Sequence, residues 1–242
     1  METPPAVLLE RHEGWAELVL NRPDRRNAID GPLAAGMLDA LDAIRADPSL
    51  RAVVLRGAGG ALCSGLDLKA FGATPAPDWV AGFPATWRRV HVGLASIDAV
   101  LVVALERFAI NGGAALALAG DLAIAGETAF LQIAEVRLGM AAPNNLAWLR
   151  ARHPASVAAR LALTGDRVAA PELLRLGVAT ELVADDRVLE RCRERAAELA
   201  TFPVEGIARI KAAIRAAWLG TTPDAWFASF SAAQPGLDRL RT

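Results

Sequence analysis

The chain has 242 residues, enough for one large domain with a sizeable core, or one domain plus a small appendage. Hydrophobic residues make up 53% and charged residues 22%, which excludes a disordered chain. Lys+Arg 26 stand against Asp+Glu 27, a formal net charge of −1, and this argues against a dedicated nucleic-acid or anionic-membrane surface.

In chain order, "AVLLE" and "WAELVL" read as two strands joined by the hairpin signal "RHEG". The polar loop "NRPDRRNAID" follows. A helix is predicted from Asp30, a good N-cap, with Pro32 in its first turn and Leu33, Met37, Leu41 and Ile44 on one face. "RAVVLRG" reads as a short buried strand and "GAGGALCSGLDL" as a glycine-rich loop leading to a helix. "FGATPAPDWVAG" reads as a loop, with the next helix from about Pro84 to Ile97. The apolar region from Ala99 to Gly126 is interrupted by Glu106, Arg107 and Asn111. It is too broken for the roughly 20 residues of a membrane span and reads as strand, turn and buried helix. "LAIAGETAFLQI" gives short strands around a turn. Strand, glycine loop and helix thus recur, the pattern of an α/β fold with buried strands.

From roughly residue 185 the chain reads as a charged helical appendage. Two readings stand open for it, a solvated amphipathic helix pair or an oligomer interface. Cys63 and Cys192 form no CxxC pair, so zinc and disulfide scaffolds are poor readings and a reduced, cytoplasmic setting is expected. The start "METPPAVLLERHEG" has no basic segment followed by an apolar stretch, so no signal peptide is expected.

Common catalytic signatures fail on particular residues. Leu62 stands where a dinucleotide fingerprint needs its third glycine, and Leu66 where a P-loop needs lysine. Ser64 lacks the glycine two residues before it that a nucleophile elbow requires. His12, His91 and His153 form no HExxH and read as surface or structural residues. Cys63 has no adjoining cation to lower its pKa and reads as a small packed side chain. No metal site is expected.

Two glycine-rich turns survive, "ALCSGLDLKAFG" and "NGGAALALAGD". Each follows a buried strand and precedes or opens a helix, where backbone N–H groups are unpaired. Two such groups converging on one oxygen make an oxyanion hole. Spacing alone leaves this open against two tight turns that merely pack a helix on a sheet.

These turns, together with "NRPDRRNAI", "LALAGDLAIAGETAFLQIAEVRLGM" and "ARLALTGDRVAAPELLRLGVATELV", resemble the crotonase, or enoyl-CoA hydratase/isomerase, superfamily over about residues 7–184. The resemblance implies a spiral of ββα units over 1–184 and a helical C-terminal region over 185–242 used for oligomerisation. It also implies a homotrimer or dimer of trimers, an acyl-CoA thioester as substrate, and no separate cofactor. It implies that the two turns meet and that the amides of Leu66 and Gly112 hold a thioester enolate. Ser64, Leu66, Asp67, Leu68 and Lys69 resemble the segment beside CoA, with Arg25 and Ala28 in the early loop that borders it. Lys69 reads equally as a phosphate contact or a solvated lysine, and Asp67 mainly as structural.

Hydratases of the family use two glutamates. By the resemblance the first position holds Ala115 and the second holds Glu135, whose bland alternative is a turn residue paired with Arg137. One carboxylate and an oxyanion hole suit double-bond isomerisation better than hydration. The alternatives are a non-catalytic or weakly hydrating acyl-CoA-binding protein and, behind these, thioester hydrolysis through Glu135. The chain departs from the family at Glu106–Arg107, at Asn111 in place of a third glycine, and at "AAPNNLAW" after "LGM". There Asn144 or Asn145 reads either as a polar contact in the acyl pocket or as a helix cap.

Overall fold

The computed structural model describes residues 4–231. The chain runs β1 (Val7–His12), β2 (Trp15–Leu20), α1 (Gly31–Arg45), β3 (Ala52–Gly57), α2 (Leu68–Phe71), α3 (Trp79–Ser96), β4 (Val100–Leu105), β5 (Phe108–Ile110), α4 (Gly112–Leu118), β6 (Leu122–Gly126) and β7 (Phe130–Gln132). It continues through α5 (Pro143–Arg152), α6 (Ala155–Ala162), β8 (Arg167–Ala169), α7 (Ala170–Arg175), β9 (Glu181–Val183), α8 (Val188–Ala200), α9 (Val204–Leu219) and α10 (Pro223–Ser231).

Among the described residues the strands form two sheets, β1-β2-β3-β4-β6-β9 and β5-β7-β8. The β1–β2 hairpin is antiparallel and the rest of the larger sheet is parallel. Its central strands β4 and β6 are apolar throughout because both faces are covered. Val53, Leu55, Leu101 and Val103 face the main core, whereas Ala52, Val54, Val102 and Ala104 face Val188, Cys192 and Ala196 of α8. The first helix of the expected appendage is therefore amphipathic but not free: its apolar stripe at i, i+4, i+8 seals one face of the sheet. Residues 232–242, the end of the region read as helical, lie outside the described residues.

The small sheet explains how the turns are brought together. Each long strand is followed by a short crosswise segment and then a helix: β2, Ile29, α1; β3, Cys63–Leu66, α2; β4, β5, α4. The crosswise segments bond to one another, Ile29 to Leu66, Cys63 to Ala109, and β5 to β7, so successive ββα turns stack as a spiral.

Helix α1 forms as its residues predict. Asp30 accepts from Leu33 N at 2.9 Å, and Leu33, Met37, Leu41 and Ile44 are buried. Helix α3 departs from expectation by starting at Trp79, inside the stretch read as loop, with Pro84 in its interior. Trp79 and Phe83 stand one turn apart and pack edge-on against Phe71 at 4.8 and 4.7 Å. That aromatic burial outweighs the hydrogen bond that proline forfeits.

Farther along, His91 accepts from Trp148 Nε1 at 2.9 Å, and burial lowers its pKa to about 3, so it is a structural histidine. Phe227 of α10 is fully buried and packs against both rings. Helix α9 is held by the buried Lys211, whose Nζ donates to Asp121 Oδ2 and to Ala99 O, both at 2.7 Å. Among the described residues no helix is long and apolar enough to cross a membrane.

Candidate active site

The two glycine turns lie side by side. Cys63 N donates to Phe108 O at 3.4 Å and Ile110 N to Cys63 O at 3.1 Å, which laces the first turn to the second. Glycine is required at two points of this seam. A Cβ on Gly113 would stand 2.5 Å from Cys63 O, and Gly65 has φ +93° with Ile110 O only 3.0 Å from where a Cβ would sit. Cys63 fills the seam, and burial pushes its thiol up to about 12, so it acts as a small packed residue.

Leu66 is clamped from both sides by Ile29, which donates to Gly65 O at 2.8 Å and accepts from Asp67 N at 2.9 Å. In a parallel bridge this pattern turns the intervening Leu66 amide away from Ile29. Among the described residues the amides of Leu66 and Gly112 donate to no protein acceptor. Asp67 caps α2 through Ala70 N at 3.1 Å and pairs with Arg22 at 3.1 Å, which also holds Asp30 at 2.8 Å. Its side chain is thus committed to fastening the loop.

A cavity of about 410 Å³ opens against both turns. Ser64, Leu66, Leu68, Asn111, Gly112, Ala115, Glu135 and Asn145 line it, with Phe83, Trp87, Leu138, Met140 and Pro143 forming apolar wall. The structure therefore gathers Ser64, Leu66, Leu68, Gly112 and Glu135 around one space. Arg25, Ala28, Asp67 and Lys69 are not among its lining residues. Arg25 and Lys69 are exposed, and Ala28 is buried in the early loop. Among the described residues no cluster of side chains suited to a metal ion is present.

Asn111 occupies the turn with φ +50° and ψ −115°, outside the left-handed helical region and costly for a residue with a side chain. Three of its four polar groups hold it in place. Asn111 N donates to Gln132 O at 2.8 Å, its Oδ1 accepts from Ala134 N at 2.8 Å, and its carbonyl accepts from Asn145 Nδ2 at 3.1 Å. The departure from glycine thereby anchors the residue just before Glu135.

Glu135 opens a short 3₁₀ turn and is 8% exposed. Its Oε1 accepts from Asn145 Nδ2 at 3.1 Å, and its Oε2 is buried with no partner among the described residues. Arg137 pairs instead with Asp166 at 3.2 Å, so the alternative of a Glu135–Arg137 turn pair is not what forms. Burial raises the Glu135 pKa to about 7, with no cation to offset it. Ala115 is fully buried on the same cavity, so its position offers no second acid.

Asn145 sits two residues into α5 and makes no cap; it braces Glu135. Its residue type marked it as one of two candidates, but its partners lie 10 and 34 positions away, beyond what local pattern conveys. The wall from α3, Phe83 and Trp87, carries only an i, i+4 aromatic spacing as a signal, and that spacing also fits plain core.

A carboxyl whose folded pKa lies above its unfolded value of 4.5 loses its proton first in the unfolded chain. Stability is then complete at low pH and falls as pH rises from about 4.5 to about 7. Glu135→Gln removes this dependence. Its stability relative to the parent should rise by about 3 kcal/mol between about pH 4 and pH 8, at roughly 1.4 kcal/mol per pH unit of displacement. Paired thermal or urea melts across that range read the change, and a flat difference would refute the buried, unpaired carboxyl.

Comparison with known proteins places the chain clearly. The model of the Enoyl-CoA hydratase/isomerase family matches residues 10–230. The chain is 30% identical to the 1,2-epoxyphenylacetyl-CoA isomerase of Escherichia coli K12, covering 89% of this chain and 84% of that protein. It is 34% identical to the carnitinyl-CoA dehydratase of Proteus mirabilis, over 83% and 76% of the two chains. The crystal structure of an enoyl-CoA hydratase/isomerase from Xanthobacter autotrophicus Py2 superposes with a TM-score of 0.82 at 28% identity, covering 94% of this chain and 85% of that one.

Proposed function

The chain belongs to the enoyl-CoA hydratase/isomerase family, and we propose that within it this enzyme moves the double bond of an enoyl-CoA thioester. It is an enoyl-CoA hydratase-like enzyme with an acyl-CoA substrate. In the proposed reaction Glu135, ionised, takes a proton from the carbon activated by the thioester. The C–H electron pair moves into the conjugated system, and negative charge collects on the thioester oxygen. The amides of Leu66 and Gly112 hold that oxygen. Glu135, now protonated, returns the proton at the other end of the allylic system, and the double bond has moved with no net gain or loss of atoms.

One observation carries this reading. Among the described residues Glu135 is the carboxylate that lines the cavity, and Ala115 leaves its neighbour's position without a titratable group. A single group that removes and returns one proton completes an isomerisation. Efficient hydration calls for a second group to activate water. A pKa near 7 suits a group that must both take and give up a proton at neutral pH. Ser64 and Leu68 at the rim, with Lys69, Asp67, Arg25 and Ala28 nearby, would border the CoA moiety. Exposed Ile210 and Ile214 on α9 support residues 185–242 as the region of self-association in a homotrimer or dimer of trimers.

The test is incubation of the purified protein with matched 2-enoyl- and 3-enoyl-CoAs in D₂O. Interconversion of the two isomers is the expected result, with deuterium entering the allylic system to the extent that the Glu135 proton exchanges with solvent before it is returned. Accumulation of the 3-hydroxyacyl product would make the enzyme a hydratase. Tight binding with neither migration nor solvent exchange would make it an acyl-CoA-holding protein.

A further inference from the structure

We propose that Arg88 holds a carboxylate at the far end of the acyl chain, so that the preferred substrate is the CoA thioester of a dicarboxylic acid. This rests on the enoyl-CoA reading and names its substrate class.

Arg88 stands on α3, next to Trp87, and lines the same cavity of about 410 Å³ as Glu135. Among the described residues it is the one cation in that lining. Its Nε is buried with no hydrogen-bond partner among the described residues. Asp224 Oδ1 of α10 lies 3.2 Å away but does not accept the N–H. Asp224 is also 60% exposed, so water screens its charge and its hold on the guanidinium is weak. A guanidinium carries five N–H donors in a flat fork that fits a carboxylate through two parallel bonds. Arg88 therefore has donors to spare, and a buried donor without an acceptor calls for one.

The other polar atoms of the chamber decide where an anion can sit. Glu135 Oε2 and Asn145 Oδ1 are buried and unpartnered as well, yet both are acceptors. The Asn145 amide is fixed that way round because its nitrogen side faces the Asn111 carbonyl, which can only accept. An anion is thus repelled at both and attracted at Arg88. The two poles are electrically separate: burial raises the Glu135 pKa and no cation lowers it, so the Arg88 charge does not reach that carboxyl. A carboxylate seated at Arg88 leaves the proton-transfer group undisturbed. The apolar wall from Phe83, Trp87, Leu138 and Met140 suits the methylenes that join thioester to tail. The Arg88 side chain is 35% exposed, so an incoming carboxylate keeps part of its water and avoids the heavy desolvation of a fully buried pair.

Calorimetry on the full chain compares saturated probes in pairs: glutaryl-, adipyl- and suberyl-CoA against pentanoyl-, hexanoyl- and octanoyl-CoA. In the wild type the carboxylate-ended member of at least one pair should bind about 10- to 100-fold more tightly. Arg88→Gln should bring that pair within about threefold by weakening the carboxylate-ended member. Equal or reversed affinities in every wild-type pair overturn the inference and leave the enoyl-CoA reading standing, the Nε then holding water. A preference that persists in Arg88→Gln overturns it too. So does an equal loss for both members, which would place the guanidinium on the CoA phosphates. Failure of every probe to bind the wild type sinks the enoyl-CoA reading itself. Should Arg88→Gln not fold, Arg88→Met takes its place under the same expectations.

Discussion

Glu135→Gln is expected to lower the rate of double-bond migration by about 10²–10⁴-fold, with acyl-CoA affinity within a few-fold of the parent. The substitution isolates the proton-transfer role. Glutamine keeps an oxygen that can accept from Asn145 Nδ2, and its volume nearly matches, so the cavity wall stays in place. What is lost is the group that takes and returns the proton, and Ala115 supplies no substitute. The pH profile makes the test sharper. A base must be ionised, and burial raises Glu135 to about 7, so the parent's kcat/KM should climb through about pH 7 and level off above it. Steady-state rates with a 3-enoyl-CoA give both readouts. A variant that keeps its rate, or a parent profile that turns near 4.5, would assign the chemistry elsewhere.

Removing one hydrogen from the backbone at Leu66 should have the second-largest effect. Incorporating the α-hydroxy analogue of leucine at position 66 replaces the peptide N–H by an ester oxygen and leaves the side chain intact. Turnover is expected to fall by about 10²–10³-fold, the usual consequence of losing one oxyanion donor. Leu66→Ala should change it only a few-fold, since the side chain is not the donor. The ester also weakens Gly65 O, which accepts from Ile29 N at 2.8 Å, so a melting curve must accompany the kinetics. A folded ester form with full turnover would leave no role for that amide.

The sequence was most informative where local chemistry decides structure. Asp30 with Leu33, Met37, Leu41 and Ile44 announces α1, and "AVVLRG" and "VLVVAL" announce strands buried on both faces. The Ala115 and Glu135 positions were also visible, because a family pattern indexes them. What lay hidden depends on partners distant in the chain. β5 and β7 are three residues each, too short for a period to show. The start of α3 is set by Phe71, whose ring meets Trp79 and Phe83 only after folding. Asn145 could be suspected for its amide, yet which of its atoms would be orphaned depends on Glu135 and the Asn111 carbonyl together. Likewise the burial of Val188, Cys192 and Ala196 follows from where the sheet's second face ends up, not from the helix's own composition.

Helix α10 rests on α3 and α5 of its own chain and brings Ser231 to the rim of the cavity, with Phe227 wedged against His91 and Trp148 beneath it. A chain cut before Pro223 would therefore lose the rim residue Ser231 and leave the His91–Trp148 pair without the ring that covers it.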